Sequence, residues 1–173
     1  HWAKRTIGWA VEQGIVNGFP DGTFRPDGNV TEAQFIAMLF RAYPAAVPQG
    51  NGSPWYKPYY ERATAWNWPV EENNADKAVL RGKVAQIIAA SQGRRLPENE
   101  AIRFLLENRL AQGKRTADGR VDFGAKDTLT RAEAVQFVLN LTSYSGSIGA
   151  ASGSAAARSD GQAETVAQTA VVT

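Results

Sequence analysis

The chain has 173 residues, of which 43% are apolar and 21% charged, a balance that suits a globular core rather than a disordered chain. It has no Cys and a single His, at position 1, which removes disulfides, thiolate chemistry and cysteine zinc sites and leaves no basis for a Ser-His-Asp triad or a multi-His metal centre. Lys and Arg number 19 against 17 Asp and Glu, too even a balance for a nucleic-acid binder, and no run of 18 apolar residues exists to cross a membrane.

The chain opens on His1-Trp2-Ala3-Lys4, already amphipathic and unlike a signal peptide, as expected of a mature or excised segment. Ala3, Ile7, Ala10 and Val11 recur at helical spacing and predict a first helix. The loop Gly18-Phe19-Pro20-Asp21-Gly22-Thr23-Phe24-Arg25-Pro26-Asp27-Gly28 follows, with Asp21-Gly22 as its turn signal. It has two acids but not the ligand series of an EF-hand, so calcium is not expected there. Thr31 and Gln34 have the spacing of a capping box, with Val30 as the preceding apolar staple. A second helix then runs through Ala33, Ile36, Ala37, Leu39 and Phe40.

This grammar repeats. In residues 53–93, Trp55, Lys57, Tyr60 and Ala63 align with Trp2, Lys4, Ile7 and Ala10, and Val79-Leu80-Arg81-Gly82-Lys83 meets Val30 to Gln34 across a shortened loop. The acidic run Glu71-Glu72 with Asp76 reads as surface. In residues 96–143 the first helix carries Ile102, Leu105, Leu106 and Leu110, Asp118-Gly119 matches Asp21-Gly22, and Gly113 matches Gly18. Gly113-Lys114-Arg115 reads as a solvated turn, and Arg120-Val121-Asp122-Phe123 alternates too briefly to count as a convincing strand. Leu129, Thr130 and Glu133 repeat the staple and capping box, and a helix continues through Val135, Val138 and Leu139. Residues 144–173 are rich in Ala, Ser, Gly and Thr, hold three charged residues, and predict a flexible linker or tail; a poor Ala-rich helix near 162–172 is the alternative.

One helix pair cannot bury its own apolar face, whereas three packed together share a core. The expected fold is all-α: units at 1–44, 45–95 (divergent) and 96–143, each helix-loop-helix, in a compact pseudo-threefold domain followed by the tail at 144–173.

These residues resemble S-layer homology domains, which typically occur as three tandem units of this length. The resemblance rests on His1-Trp2-Ala3, on Gly14-Ile15-Val16-Asn17-Gly18-Phe19-Pro20-Asp21-Gly22-Thr23-Phe24-Arg25-Pro26, on Thr31-Glu32-Ala33-Gln34, on Thr130-Arg131-Ala132-Glu133, and in unit two on Ser53-Pro54-Trp55-Tyr56 with Leu80-Arg81-Gly82-Lys83. It implies non-covalent anchoring to a Gram-positive type cell wall, with secondary cell-wall polysaccharide, often bearing a pyruvate ketal, bound in grooves between units. It implies glycan-binding roles for Arg131, Arg81, Ser53 and Trp55. Unit one departs from the family motif by carrying Glu32 in place of Arg, so at most two grooves keep their arginine.

The chemistry agrees with that assignment. An Arg fork matches a carboxylate, and a helix N-terminus adds orphan amides and a positive dipole end. Arg131 is expected to be exposed near its helix start; Arg81 follows the same logic without a capping Thr. Glu32 would repel an acidic ligand. Thr31, Gln34, Thr130, Glu133, Gly18, Asp21 and Gly22 are expected to be structural. Trp2 and Trp55, at repeated positions, favour packing, while Trp66 and Trp68 have no place in the pattern. No metal, cofactor, nucleic acid or membrane insertion is expected, and a passenger domain fused outside this chain is. Two other readings remain at this point: a helical repeat module binding a protein partner at the cell surface, and a two-carboxylate glycosidase, for which no acid pair stands out.

Overall fold

The computed structural model describes residues 2–18 and 20–152. Six helices carry it: α1 (Lys4–Glu12), α2 (Glu32–Arg41), α3 (Lys57–Ala65), α4 (Arg81–Ser91), α5 (Glu98–Glu107) and α6 (Arg131–Tyr144). The domain is all-α apart from one small ribbon, in which β1 (Lys114–Arg115) pairs antiparallel with β2 (Val121–Asp122). The brief alternation at 120–123 is thus a paired strand, and Lys114-Arg115 is its partner rather than a free turn.

Each unit ends its first helix in the same way. Gly14, Asn67 and Arg109 take left-handed backbone conformations, with φ of 73°, 63° and 59°. The next amide returns to a carbonyl five residues back: Ile15 to Ala10, Trp68 to Ala63, Leu110 to Leu105. This is a helix-terminating turn that satisfies carbonyls the helix leaves open. Its apolar residue is then driven into the core, where Ile15, Trp68 and Leu110 are all buried. Trp68, which the sequence pattern leaves unplaced, is therefore unit two's version of Ile15, stacked on Phe40 at 4.9 Å.

The two helices of a unit do not form its main packing contact. Instead α2 packs on α3, α4 on α5, and α6 on α1. Every seam joins the second helix of one unit to the first helix of the next, and the α6–α1 seam closes the ring.

The centre of the ring shows the same rotation. Single-residue bridges join Asn29 to Thr130, Thr31 to Ala78, and Leu80 to Thr128. Val30, Val79 and Leu129 sit at these bridges and are buried. The orphan amides at each second-helix N-terminus are satisfied by the next unit's loop. Glu32 and Ala33 donate to the carbonyls of Lys77 and Ala75, Arg81 and Gly82 to those of Asp127 and Ala125, and Arg131 and Ala132 to those of Gly28 and Pro26, all at 2.8–3.1 Å. Thr31 and Thr130 also accept from the amides of Gln34 and Glu133, whose side chains accept from the Thr amides in return. Leu80, at the start of α4, offers no side-chain cap.

The first residues of the segment expected as a linker or tail pack on the domain. Residues 145–152 run back over units one and two: Ser145 O accepts from the Tyr43 hydroxyl at 2.9 Å, Gly149 O from the Trp68 indole at 2.9 Å, and the amides of Gly149, Ala151 and Ser152 donate to Ser91, Trp66 and Gly93 carbonyls. Ala151 is buried and Ile148 packs against the core. Composition misses this strap because backbone carbonyls, present in any residue type, make most of its contacts. The alternative helix near 162–172 lies outside the described residues.

Candidate functional site

The three seams share a plan and differ in chemistry, because position N1 of each second helix points into the next unit's loop. At the α6–α1 seam this residue is Arg81, delivered from unit two. Its Nε donates to Phe123 O at 2.9 Å, Nη1 lies 3.4 Å from Glu133 Oε2, and its guanidinium carbon sits 4.8 Å and 5.2 Å from the ring centres of Phe123 and Phe137. The residue is 4% exposed. Arg131 repeats the arrangement against unit one, with Nε on Phe24 O at 3.0 Å, Nη2 on Asn17 O at 2.9 Å, and the guanidinium 4.5 Å from the Phe24 ring centre. Arg131 is half-buried rather than exposed; burial, and then the nearby Arg25, weigh against its charge. Both motif arginines therefore bind loop backbone across a unit boundary.

Glu32 occupies the third such position. It is 3% exposed, and its Oε1 accepts from the Tyr60 hydroxyl at 2.8 Å and the Glu71 amide at 3.2 Å. Burial raises its pKa despite these bonds. This acid fills its site with protein donors instead of facing solvent.

A cleft of about 480 Å³ opens at the α6–α1 seam. Trp2 from unit one, Arg81 from unit two, and Arg109 to Lys114 with Glu133, Gln136, Phe137 and Asn140 from unit three line it. Trp2 is 66% exposed at this cleft rather than packed in the core. Glu133 bridges the chemistry: Oε1 closes the capping box, while Oε2 lies near Arg81 and 3.8 Å from Lys114 Nζ. Ser53 and Trp55 lead into α3 at the neighbouring α2–α3 seam, and the structure does not bring them to this cleft. Ser53 precedes a cis bond to Pro54 and is exposed; Trp55 is 48% exposed and lies edge-on to Tyr56 and Tyr59.

The loop residues shape these seams. A Cβ on Gly18 would lie 3.2 Å from Thr23 O, and Gly22 needs its φ of 85°. Asp21 accepts from the Thr23 amide and hydroxyl at 3.0 and 2.6 Å, which lowers its pKa. Lys114, Arg109, Gln136 and Asn140 are the lining residues that motif reasoning passes over. Arg109 alone leaves a trace in the sequence, as an Arg aligned with Gly14 where a left-handed turn is due. Among the described residues no His/Cys/Asp/Glu group could hold a metal ion, and no helix is long and apolar enough to cross a membrane.

A closed ring of three helix-loop-helix units with inter-unit clefts defines the class of module, and residues 1–36 match the S-layer homology domain. The match covers the first helix-loop-helix unit, and surface and anchoring proteins carry segments similar to it. Its relatives include Cell surface glycoprotein 1 of Acetivibrio thermocellus, 49% identical over 39 residues, covering 22% of this chain and 2% of that protein. The Cellulosome-anchoring protein of the same organism is 42% identical over 41 residues, covering 24% and 9%. Outer membrane protein SlpA of Deinococcus radiodurans is 34% identical over 93 residues, covering 51% and 7%. The chain spans less than a tenth of each of these relatives. Since one is an outer membrane protein, the similarity does not confine the unit to a Gram-positive type wall.

Proposed function

We propose that this chain is a non-catalytic anchoring module that holds a larger protein on the cell wall by binding secondary cell-wall polysaccharide in its inter-unit clefts. The observation that carries the reading is the α6–α1 cleft, in which an exposed indole, three amide residues and a basic cluster converge from three units. Indole faces suit sugar rings, amides suit hydroxyls, and cations suit an acidic substituent such as a pyruvate ketal. The names of the anchoring and surface relatives support the same role. In this proposal Arg81 shapes the α6–α1 cleft, while Arg131, Ser53 and Trp55 belong to a second binding seam between α2 and α3. A protein fused outside this chain would be the cargo, and two occupied seams would add avidity for a polymer.

The test is sedimentation with purified cell-wall sacculi, before and after extraction of the secondary polymer. The reading predicts co-sedimentation that is lost on extraction. Retention that ignores extraction would instead favour a module that binds a protein partner.

A further inference from the structure

We propose that Asn17-Gly18 is a self-modification site, at which the loop of unit one deamidates through a cyclic imide and Arg131, reaching across from unit three, promotes the step.

The chain holds two Asn-Gly pairs, Asn17-Gly18 and Asn51-Gly52. Both asparagines are exposed and lie outside helices and strands. Glycine has no side chain to crowd its own nitrogen, so that nitrogen can approach the side-chain carbon of the preceding asparagine. In the step, the Gly18 nitrogen gives its proton to hydroxide and bonds to Asn17 Cγ. The Cγ–Nδ2 bond breaks, and ammonia leaves with a proton taken from water. Water then opens the imide. Opening at Cγ leaves an aspartyl residue in an ordinary backbone. Opening at the main-chain carbonyl carbon leaves an isoaspartyl link, with the backbone routed through Cβ and Cγ.

The two pairs differ at the peptide group that must lose its proton. Asn17 O belongs to the same peptide group as the Gly18 nitrogen, and it accepts from Arg131 Nη2 at 2.9 Å. When that nitrogen is deprotonated, negative charge spreads onto the oxygen, where a cationic donor stabilises it. The donor is held in place, because Arg131 Nε bonds Phe24 O and the guanidinium lies against the Phe24 ring. The Gly18 amide donates to no acceptor among the described residues. Asn51 O, by contrast, takes no hydrogen bond among the described residues. Gly52 is also hemmed in: a Cβ there would lie 2.6 Å from Pro58 Cδ and 2.9 Å from Lys57 Cβ.

The same contact selects the product. Water adding to the main-chain carbonyl places charge on the oxygen that Arg131 holds, which favours the isoaspartyl link. Its new carboxylate then sits on the carbon already facing the Arg131 fork, a match for a guanidinium. Conversion thus rewrites the junction between units three and one without an enzyme.

The experiment is incubation of the full chain in mildly alkaline buffer, with and without urea, followed by peptide mapping that separates asparaginyl, aspartyl and isoaspartyl forms at both sites. In the folded chain Asn17 is expected to convert roughly tenfold faster than Asn51, within what one charge-assisted hydrogen bond supplies. In urea the two rates should converge. Arg131→Ala should bring Asn17 down to the Asn51 rate while leaving Asn51 unchanged. Arg131→Gln, which keeps an N–H donor but no charge, should do the same. It is the variant to read if Asn51 in the alanine form moves to its urea rate, the mark of an unfolded chain. An Asn17 rate no higher than that of Asn51 in the folded parent overturns the inference, as does an excess that survives the loss of the Arg131 charge.

Discussion

At the residue scale, position N1 of the second helices decides what each seam becomes. Arg131 couples unit three to unit one through two backbone carbonyls and a ring face. Arg131→Ala should therefore lower thermal stability by about 1–3 kcal/mol and, on the proposed function, reduce polymer affinity at least tenfold. Melting curves and calorimetry separate the two effects, and a change in neither would contradict the latch. Glu32 makes a pH prediction. Its folded pKa is raised by burial, so the folded state holds its proton more tightly than the unfolded chain does, and protonation favours folding. Its contribution is most favourable at or below the ordinary glutamate value and declines as pH rises from there through the raised one. Glu32→Gln keeps an acceptor for the Tyr60 hydroxyl and the Glu71 amide while removing the charge. The variant should melt higher than the parent at neutral pH, and the gap should shrink on acidification. A gap that widens toward low pH would show that the carboxylate stabilises the fold.

At the element scale, the helix starts are the most legible feature of the sequence, and they give paired predictions. Thr130→Ala removes a capping hydroxyl that accepts from Glu133 N at 3.1 Å, and should cost about 1 kcal/mol. Leu80→Thr should do the reverse, because α4 has no side-chain cap and Leu80 is 41% exposed; a gain of about 1 kcal/mol is expected if the new hydroxyl reaches the Lys83 amide. Equal melting of parent and both variants would contradict these helix boundaries. Capping boxes can be read in sequence because donor and acceptor lie three residues apart. The positions of Arg81 and Arg131 cannot, because each lies against a Phe in another unit, at 123 and 24, far away in sequence. Trp68 is obscured for a different reason: it fills the slot of Ile15 and Leu110 with a ring too large for the repeat pattern to suggest.

At the scale of the whole molecule, the ring holds together through exchange between units rather than within them. Each second helix draws its N-terminal acceptors from the next loop and packs on the next first helix, so no unit completes its own hydrogen bonding. The repeat count and the pseudo-threefold arrangement follow from sequence alignment alone, but the single-residue bridges at the centre are too short to leave a pattern. The strap at 145–152 seals the face over Trp66 and Trp68. A chain ending at Tyr144 would orphan the buried Trp68 indole and expose Ile148's packing site, and should lose about 1–3 kcal/mol; a melt unchanged by that truncation would contradict the strap's role.

Occupation of the α6–α1 cleft by a glycan, with all three units contributing, can be followed by titrating the isotopically labelled chain with purified secondary cell-wall polysaccharide and recording side-chain N–H signals by NMR. Saturable shifts of the Trp2 indole and of the Gln136 and Asn140 amides, with the Trp68 indole unmoved, are the predicted result. Shifts confined to Trp66 and Trp68, or none at polymer concentrations that retain the chain on sacculi, would contradict it.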